Sequence, residues 1–111
     1  MPLETLLNLD GEIYPMAKGY WVKFEARKIV ATPERPHGLS YSITLHDRNN
    51  TRILGYDNAH AVKLKRKGFS ARKISWDHVH KMEKVTEYEF TSAGQLLEDF
   101  WREVNVLTGF K

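Results

Sequence analysis

The sequence predicts an α+β protein in which one antiparallel β-sheet of about four to six strands packs against a C-terminal amphipathic helix. Residues 39–46, and less regularly residues 19–30, alternate apolar and polar residues with the period of two that half-buried strands have, and residues 51–57 are expected to return as the next strand. From Leu96 to Leu107 the apolar residues recur at helical spacing instead. The sheet and the helix therefore each have one apolar face, and a chain of this size offers little else for those faces to pack against.

The composition indicates a soluble globular protein with one domain. The chain has 111 residues, and domains commonly contain about 100–150, so we expect a single domain over residues 1–111. There is no cysteine, which excludes thiol nucleophiles, disulfides and cysteine-ligated metal sites. Neither a secretory signal nor an apolar run long enough to cross a membrane is evident. We therefore expect a cytoplasmic protein that does not enter the membrane.

The clearest local prediction is a β-hairpin. Leu39–His46 and Thr51–Asp57 are joined by Asp47–Asn50, whose residue types cap turns and tolerate positive φ. In the first of these strands the odd-numbered residues are apolar and the even-numbered ones are polar. The pattern predicts that one face of the sheet is buried and the other is wet.

Both ends of the chain are predicted to be helical. Leu3, Leu6 and Leu7 suggest a helix of barely two turns or an irregular apolar segment. At the other end, Ser92 and Gln95 form a capping-box pattern before the apolar stripe. Gly109 follows the stripe where a C-terminal cap glycine belongs.

Candidate chemistry concentrates in two short stretches, Tyr56–His60 and Trp76–His80. In an extended segment His78 and His80 project from the same face, where they could share a divalent metal with a carboxylate or act as general base and general acid. Asp57 or Asp77 would orient an imidazole, and His60 lies near the same strand end. The alternative is that these histidines are structural or merely exposed. The candidate catalytic residues are Asp57, His60, Asp77, His78 and His80.

The stretches flank the most basic run of the chain, which we expect to be a long exposed loop. Residues 63–73 contain six Lys or Arg and no acid. Such a run can neutralise phosphates, with an affinity that falls as salt rises, or it can be an ordinary solvated loop. The candidate nucleic-acid ligands are Lys63, Lys65, Arg66, Lys67, Arg72 and Lys73. Trp76, Phe69 and Tyr56 are nearby aromatic residues that could stack on unpaired bases.

The chain also resembles the TumE family, small bacterial and archaeal proteins described as toxins of toxin–antitoxin pairs. The resemblance runs along nearly the whole chain, and its most specific pieces are Tyr56–His60, Asp77–His80 and Leu96–Trp101. It implies a toxin whose cognate antitoxin is a helix-turn-helix protein and whose target is RNA or translation. The resemblance assigns no catalytic residues, so those above depend on the chemistry of the residue types.

Two functional hypotheses follow. In the first, the protein is a toxin that cleaves RNA through the Asp/His residues beside the basic run, without a cofactor or, in a further version, with a divalent metal at His78 and His80. In the second, it is a non-catalytic binding module that recognises RNA or a protein through residues 63–73. A homodimer is compatible with either hypothesis.

Overall fold

The computed structural model describes residues 2–58, 62–65, 72–75 and 77–110, and of 62–65 and 72–75 it describes the backbone. Two α-helices and eight strands occur in these ranges, with a 3₁₀ turn at Ala17–Gly19. Their bounds are α1 Pro2–Asn8, β1 Ile13–Pro15, β2 Trp21–Lys28, β3 Leu39–His46, β4 Arg52–Asp57, β5 Val62–Lys65, β6 Arg72–Ser75, β7 His78–Lys81, β8 Lys84–Glu87 and α2 Ala93–Thr108.

Six of the strands form one antiparallel sheet in the order β1-β2-β3-β4-β7-β8. The sheet is a meander except between β4 and β7, where the separate hairpin β5–β6 is inserted. With the C-terminal helix α2, this arrangement confirms the predicted α+β fold and the predicted hairpin of β3 and β4.

The core lies between one face of the sheet and the two helices. Val22, Phe24 and Ala26 of β2 are buried, as alternation predicts, and Phe24 meets Phe100 of α2 with ring centroids 6.2 Å apart. From β3 the core receives Leu39, Tyr41, Ile43 and Leu45, and from α2 Ala93, Leu96, Phe100 and Val104. The opposite face of the sheet, which we call the open face, has no helix against it among the described residues.

The helix ends are largely as predicted. Ser92 Oγ accepts a hydrogen bond from the Gln95 amide at 3.1 Å, which satisfies one of the unpaired donors at the start of α2. The Gln95 side chain does not complete a capping box, because its amide donates to Asp99 at 2.8 Å instead. Gly109 ends the helix at a φ of 78°, a conformation that glycine adopts at little cost.

Two predictions about the second half of the chain were wrong. Parts of the basic run, predicted as a loop, form the paired strands β5 and β6. Apolar and basic residues alternate from Val62 to Lys65 in the sequence, but the alternation is too short to stand out from the surrounding charges. The sequence also favours a short strand or extended segment over residues 86–90, but the strand there, β8, begins earlier because Met82, at a φ of 57°, makes the turn from β7 into β8.

Within the described ranges, neither helix has the length and apolar character needed to span a lipid bilayer.

Asn58 connects the end of β4 to β3 through its side chain. Its Oδ1 accepts from the Tyr41 amide at 2.9 Å, and its Nδ2 donates to the Leu39 carbonyl at 2.8 Å. The Asn58 amide itself donates to the Tyr41 carbonyl at 3.2 Å, so three bonds continue the ladder where regular pairing stops. Because Asn58 is buried, these bonds hold the strand end that carries Asp57.

Replacement of Asn58 by Ala should lower the free energy of unfolding by about 2–4 kcal/mol, because it leaves two buried backbone groups without partners. Urea unfolding of Asn58→Ala would measure this loss. Asn105→Ala, an exposed change of the same type on α2, is the control and should stay within about 0.5 kcal/mol of the parent protein. Equal stabilities of the two variants would contradict the proposed role of Asn58.

Candidate functional site

The register between β4 and β7 brings three predicted site residues together on the open face. Asp57 pairs with His78, and Gly55 pairs with His80. Tyr56 and Val79, which lie between them along the strands, are buried in the core. Successive side chains alternate between the faces of a strand, so Asp57, His78 and His80 lie on the side away from α2.

The Asp57 carboxylate is shared by the two imidazoles. Its Oδ1 lies 3.0 Å from His78 Nε2, and its Oδ2 lies 3.5 Å from His80 Nε2. The two rings contact each other edge to face, with centroids 4.6 Å apart and planes at 79°. The carboxylate therefore orients both rings, as the sequence predicted for Asp57.

The members of this cluster differ in their access to solvent. The side chain of His78 is 2% exposed, whereas that of His80 is 19% exposed and that of Asp57 is 14% exposed. His80 is thus the imidazole that a ligand on the open face can reach. His78 lies beneath the surface, where it can position Asp57 but cannot contact a bulky substrate.

The charges of the cluster favour an ionised Asp57 beside a neutral His80. Burial raises the pKa of Asp57, but the hydrogen bond from His78 and the nearby charges outweigh it, and the pKa lies below its usual value. Burial is also the largest influence on His80, followed by the positive charge of Arg52, and together they lower the pKa of this imidazole although Asp57 opposes them. At neutral pH His80 can therefore accept a proton.

Arg52 belongs to the same region, although alternation does not predict it there. The register shifts between Leu45 and His46, so that Leu45 pairs with Leu54 but His46 pairs with Arg52. Without this irregularity Arg52 would share the buried face of Leu54; with it, the side chain turns to the open face. Its Cδ would lie 3.5 Å from a Cβ at Gly55, an ordinary van der Waals distance, so the arginine side chain extends over Gly55 on the face that carries His80.

Asp77, the other predicted orienting carboxylate, has a different bonded partner. Its Oδ2 accepts a hydrogen bond from the Tyr41 hydroxyl at 2.8 Å. Burial raises the pKa of Asp77, and burial together with the Asp77 carboxylate raises the pKa of Tyr41 far above its usual value. Tyr41 belongs to the core, so this bond joins the start of β7 to the buried side of β3.

Several predicted residues lie outside what the structure describes. These are His60, Arg66 and Lys67 together with the aromatic residues Phe69 and Trp76. Lys63 and Lys65 lie on β5 and Arg72 and Lys73 on β6, where the backbone alone is described. Along the chain, the hairpin follows the end of β4 at Asp57 and precedes the start of β7 at His78.

Tyr56, predicted as a stacking aromatic, belongs to the core. It is 4% exposed, and its ring contacts Tyr88 and Phe100 edge to face, with centroids 5.0 and 5.9 Å away.

The cluster also has the donor set of a metal site. One ligand atom each from Asp57, His78 and His80 can be chosen so that all lie within 4.8 Å of one another, the only such group among the described residues. Two imidazoles and a carboxylate suit divalent transition metals such as zinc, iron or manganese.

Comparison with known proteins gives one match. The family model described as Toxin TumE matches residues 4–107, a range that includes most of each helix and every strand of the sheet. No curated protein and no solved structure matches the chain. Because the family model covers nearly the whole chain, the protein belongs to the TumE family of toxins.

Proposed function

We propose that this toxin is an endoribonuclease whose catalytic residues are His80, Asp57 and Arg52. The observation that carries the proposal is the Asp57 carboxylate held between two imidazoles, of which His80 is exposed on the open face. Membership of a toxin family implies an antitoxin partner, and we further propose a helix-turn-helix protein in that role.

RNA suits this site because it contains its own nucleophile. His80 removes the proton of a ribose 2′-hydroxyl, and the 2′-oxygen attacks the neighbouring phosphorus. The bond from phosphorus to the 5′-oxygen breaks, leaving a 2′,3′-cyclic phosphate and a 5′-hydroxyl end. Asp57 keeps the imidazole oriented and stabilises the imidazolium that forms, as a carboxylate does in other acid–base pairs.

The additional negative charge on the phosphoryl oxygens requires a cation. Arg52 lies over Gly55, and Gly55 is the residue that pairs with His80 between β4 and β7. The positive charge of Arg52 lowers the pKa of both His80 and Asp57. A guanidinium can donate two hydrogen bonds to a phosphate and so stabilise the transition state. The Lys and Arg residues of the 63–73 run provide the longer-range attraction for the RNA backbone.

The leaving 5′-oxygen also needs a proton. An in-line displacement places the attacking and leaving oxygens on opposite sides of phosphorus. One imidazole therefore cannot both take the proton from the 2′-hydroxyl and donate a proton to the 5′-oxygen. Among the described residues of the cluster His80 is the accessible imidazole, and we assign the second proton to solvent.

The non-catalytic alternative depends on the basic run. Six cations without an acid can hold RNA or an acidic protein by charge alone. Binding of this kind would be sensitive to salt, would produce no cleavage products, and would not depend on His80.

Substitution of His80 by Ala should lower the rate of RNA cleavage by about 100-fold or more, because a general base contributes about that much. The purified toxin, incubated with a defined single-stranded RNA, would be assayed by separating the products on a gel. The matched control is His37→Gln, since His37 packs against Phe90, with centroids 4.5 Å apart, and is not a member of the Asp57–His78–His80 cluster.

Undiminished cleavage by His80→Ala would reject the assigned base. Binding of RNA without cleavage, by parent and variant alike, would support the binding module instead.

The pH dependence of kcat/KM should rise through a midpoint below pH 6.5 and then level off, because His80 acts in its neutral form and its pKa lies below the ordinary value of about 6.5. Arg52→Gln removes a positive charge that disfavours the imidazolium, so the midpoint should move to higher pH. Asp57→Asn removes the charge that favours it, so the midpoint should move to lower pH. Shifts in the opposite directions would exclude His80 as the titrating group.

Treatment with EDTA should leave the cleavage rate unchanged if the cluster acts by acid–base chemistry alone. The measurement is the rate before and after dialysis against the chelator, with Zn²⁺ or Mn²⁺ added back. Loss of activity that either metal restores would instead assign Asp57, His78 and His80 as ligands of a catalytic metal, for which their donor atoms are close enough.

A further inference from the structure

The open face has a second feature, an aromatic pair at one end of β2 and β3. Trp21 and His46 are opposite each other in the strand register, and their rings stack with centroids 3.9 Å apart and planes at 8°. Both are partly exposed. His46 Nε2 lies 2.9 Å from Thr44 Oγ1, which fixes the orientation of the imidazole and, through the stack, that of the indole.

Small residues of the sheet lie between this pair and His80, and the Arg52 side chain extends over one of them, Gly55. Thr44 and Gly55 are consecutive partners in the cross-strand row that runs from Lys23 to His80. Next to them, Ser42 is the partner of Asp57. Small side chains thus line the sheet between the aromatic pair and the Asp/His cluster.

The spacing suits a short piece of single-stranded nucleic acid. His46 lies on β3 and His80 on β7, two strands away, and adjacent strands are about 4.8 Å apart. The separation is therefore about 10 Å across the sheet and about 7 Å along the strands, since His80 is in the cross-strand row of Thr44, or about 12 Å in all. An extended dinucleotide can span that distance. A base that rests on the aromatic pair can accordingly have a neighbouring phosphate at Arg52 and His80.

The charges favour an anionic ligand on this face. Lys23 and Arg52 lie in the two strands that flank β3. Lys23 Nζ forms an ion pair with Glu25 at 3.6 Å on the same face, so Arg52 provides the main positive charge for an anionic ligand. The exposed side of α2 has the opposite character, with Glu98, Asp99 and Glu103. Arg52, after burial, also lowers the pKa of His46, which leaves its ring neutral and able to stack as an aromatic group.

We propose that Trp21 and His46 form a stacking platform for the nucleobase next to the cleaved phosphate of a single-stranded RNA. The proposal rests on the function proposed above and names its substrate class. Stacking uses the face of a base and not its edge, so the platform accepts different bases and requires only that the base be unpaired. Duplex RNA has no free base face and is not a ligand of the platform.

The test is binding of a labelled single-stranded oligoribonucleotide by fluorescence anisotropy, in the His80→Gln background so that the RNA stays intact. Trp21→Ala should weaken binding by about 5- to 150-fold, the equivalent of one stacked base at 1–3 kcal/mol. Trp21→Phe, which retains an aromatic face, should recover most of the affinity. The matched control is Tyr14→Ala, an exposed aromatic residue that packs on Trp101 at the helix side and should not affect binding.

Two substrates make the test specific. A duplex of the same sequence should bind equally to the parent and to Trp21→Ala. A series of oligonucleotides, each with one abasic nucleotide at a different position, should also be tested. For one of these positions the two proteins should bind with equal affinity. In the active protein, Trp21→Ala should raise KM more than it lowers kcat.

Unchanged affinity in Trp21→Ala, or an equal loss in Tyr14→Ala, would overturn the proposal. If Trp21→Ala does not fold, photocrosslinking of 4-thiouridine RNA to the His80→Gln protein replaces it, and mass spectrometry must find the crosslink at Trp21 or His46. Binding that depends on Trp21 in a protein that cleaves no RNA would refute the nuclease and leave the platform standing. Cleavage that depends on His80 but not on Trp21 would support the nuclease and refute the platform.

Discussion

The candidate site depends on one contact across two neighbouring strands, that of the Asp57 carboxylate with the imidazoles of His78 and His80. The contact exists because β4 and β7 pair in a register that puts Asp57 opposite His78 and Gly55 opposite His80. A shift of β7 by one residue would turn both histidines toward the core and away from Asp57. The buried hydrogen bonds of Asn58 on one strand end and of Asp77 on the other hold this register at its edge.

The rest of the fold separates the face of the sheet that packs against the helices from the open face, which carries the proposed site. The helix α2 covers one side of the sheet, and the core aromatic residues, Tyr56 among them, pack there. The other side carries the Asp/His cluster, Arg52 and the Trp21–His46 stack. Placing the polar groups on a rigid sheet keeps their spacing constant, which acid–base chemistry on a phosphodiester requires.

In the proposed mechanism the two histidines of one short motif have different roles. They lie two residues apart on the same strand and share a carboxylate, yet one is buried and the other is exposed. A buried imidazole bonded to a carboxylate is a positioning group, and an exposed one with a lowered pKa is a proton acceptor. The same donor set can hold a metal, and in that case both histidines would be metal ligands. The division of roles between His78 and His80 therefore applies to the acid–base mechanism that we propose.

The sequence by itself determined the class of fold, the strands β2 to β4, and the C-terminal helix with its cap residues Ser92 and Gly109, because all of these are expressed in local periodicity or in short motifs. It proposed Asp57, His78 and His80 as site residues, together with His60 and Asp77. It left Asp57 and Asp77 as equal candidates, since the choice depends on which carboxylate the strand register brings to the imidazoles. The β5–β6 pairing was missed because charge masks its short alternation. Only the tertiary structure placed Arg52 on the open face, where the irregular pairing of β3 with β4 reverses the direction that alternation assigns to it. It also decided which histidine is exposed, because burial is set by the neighbours that packing brings together and not by position along the strand.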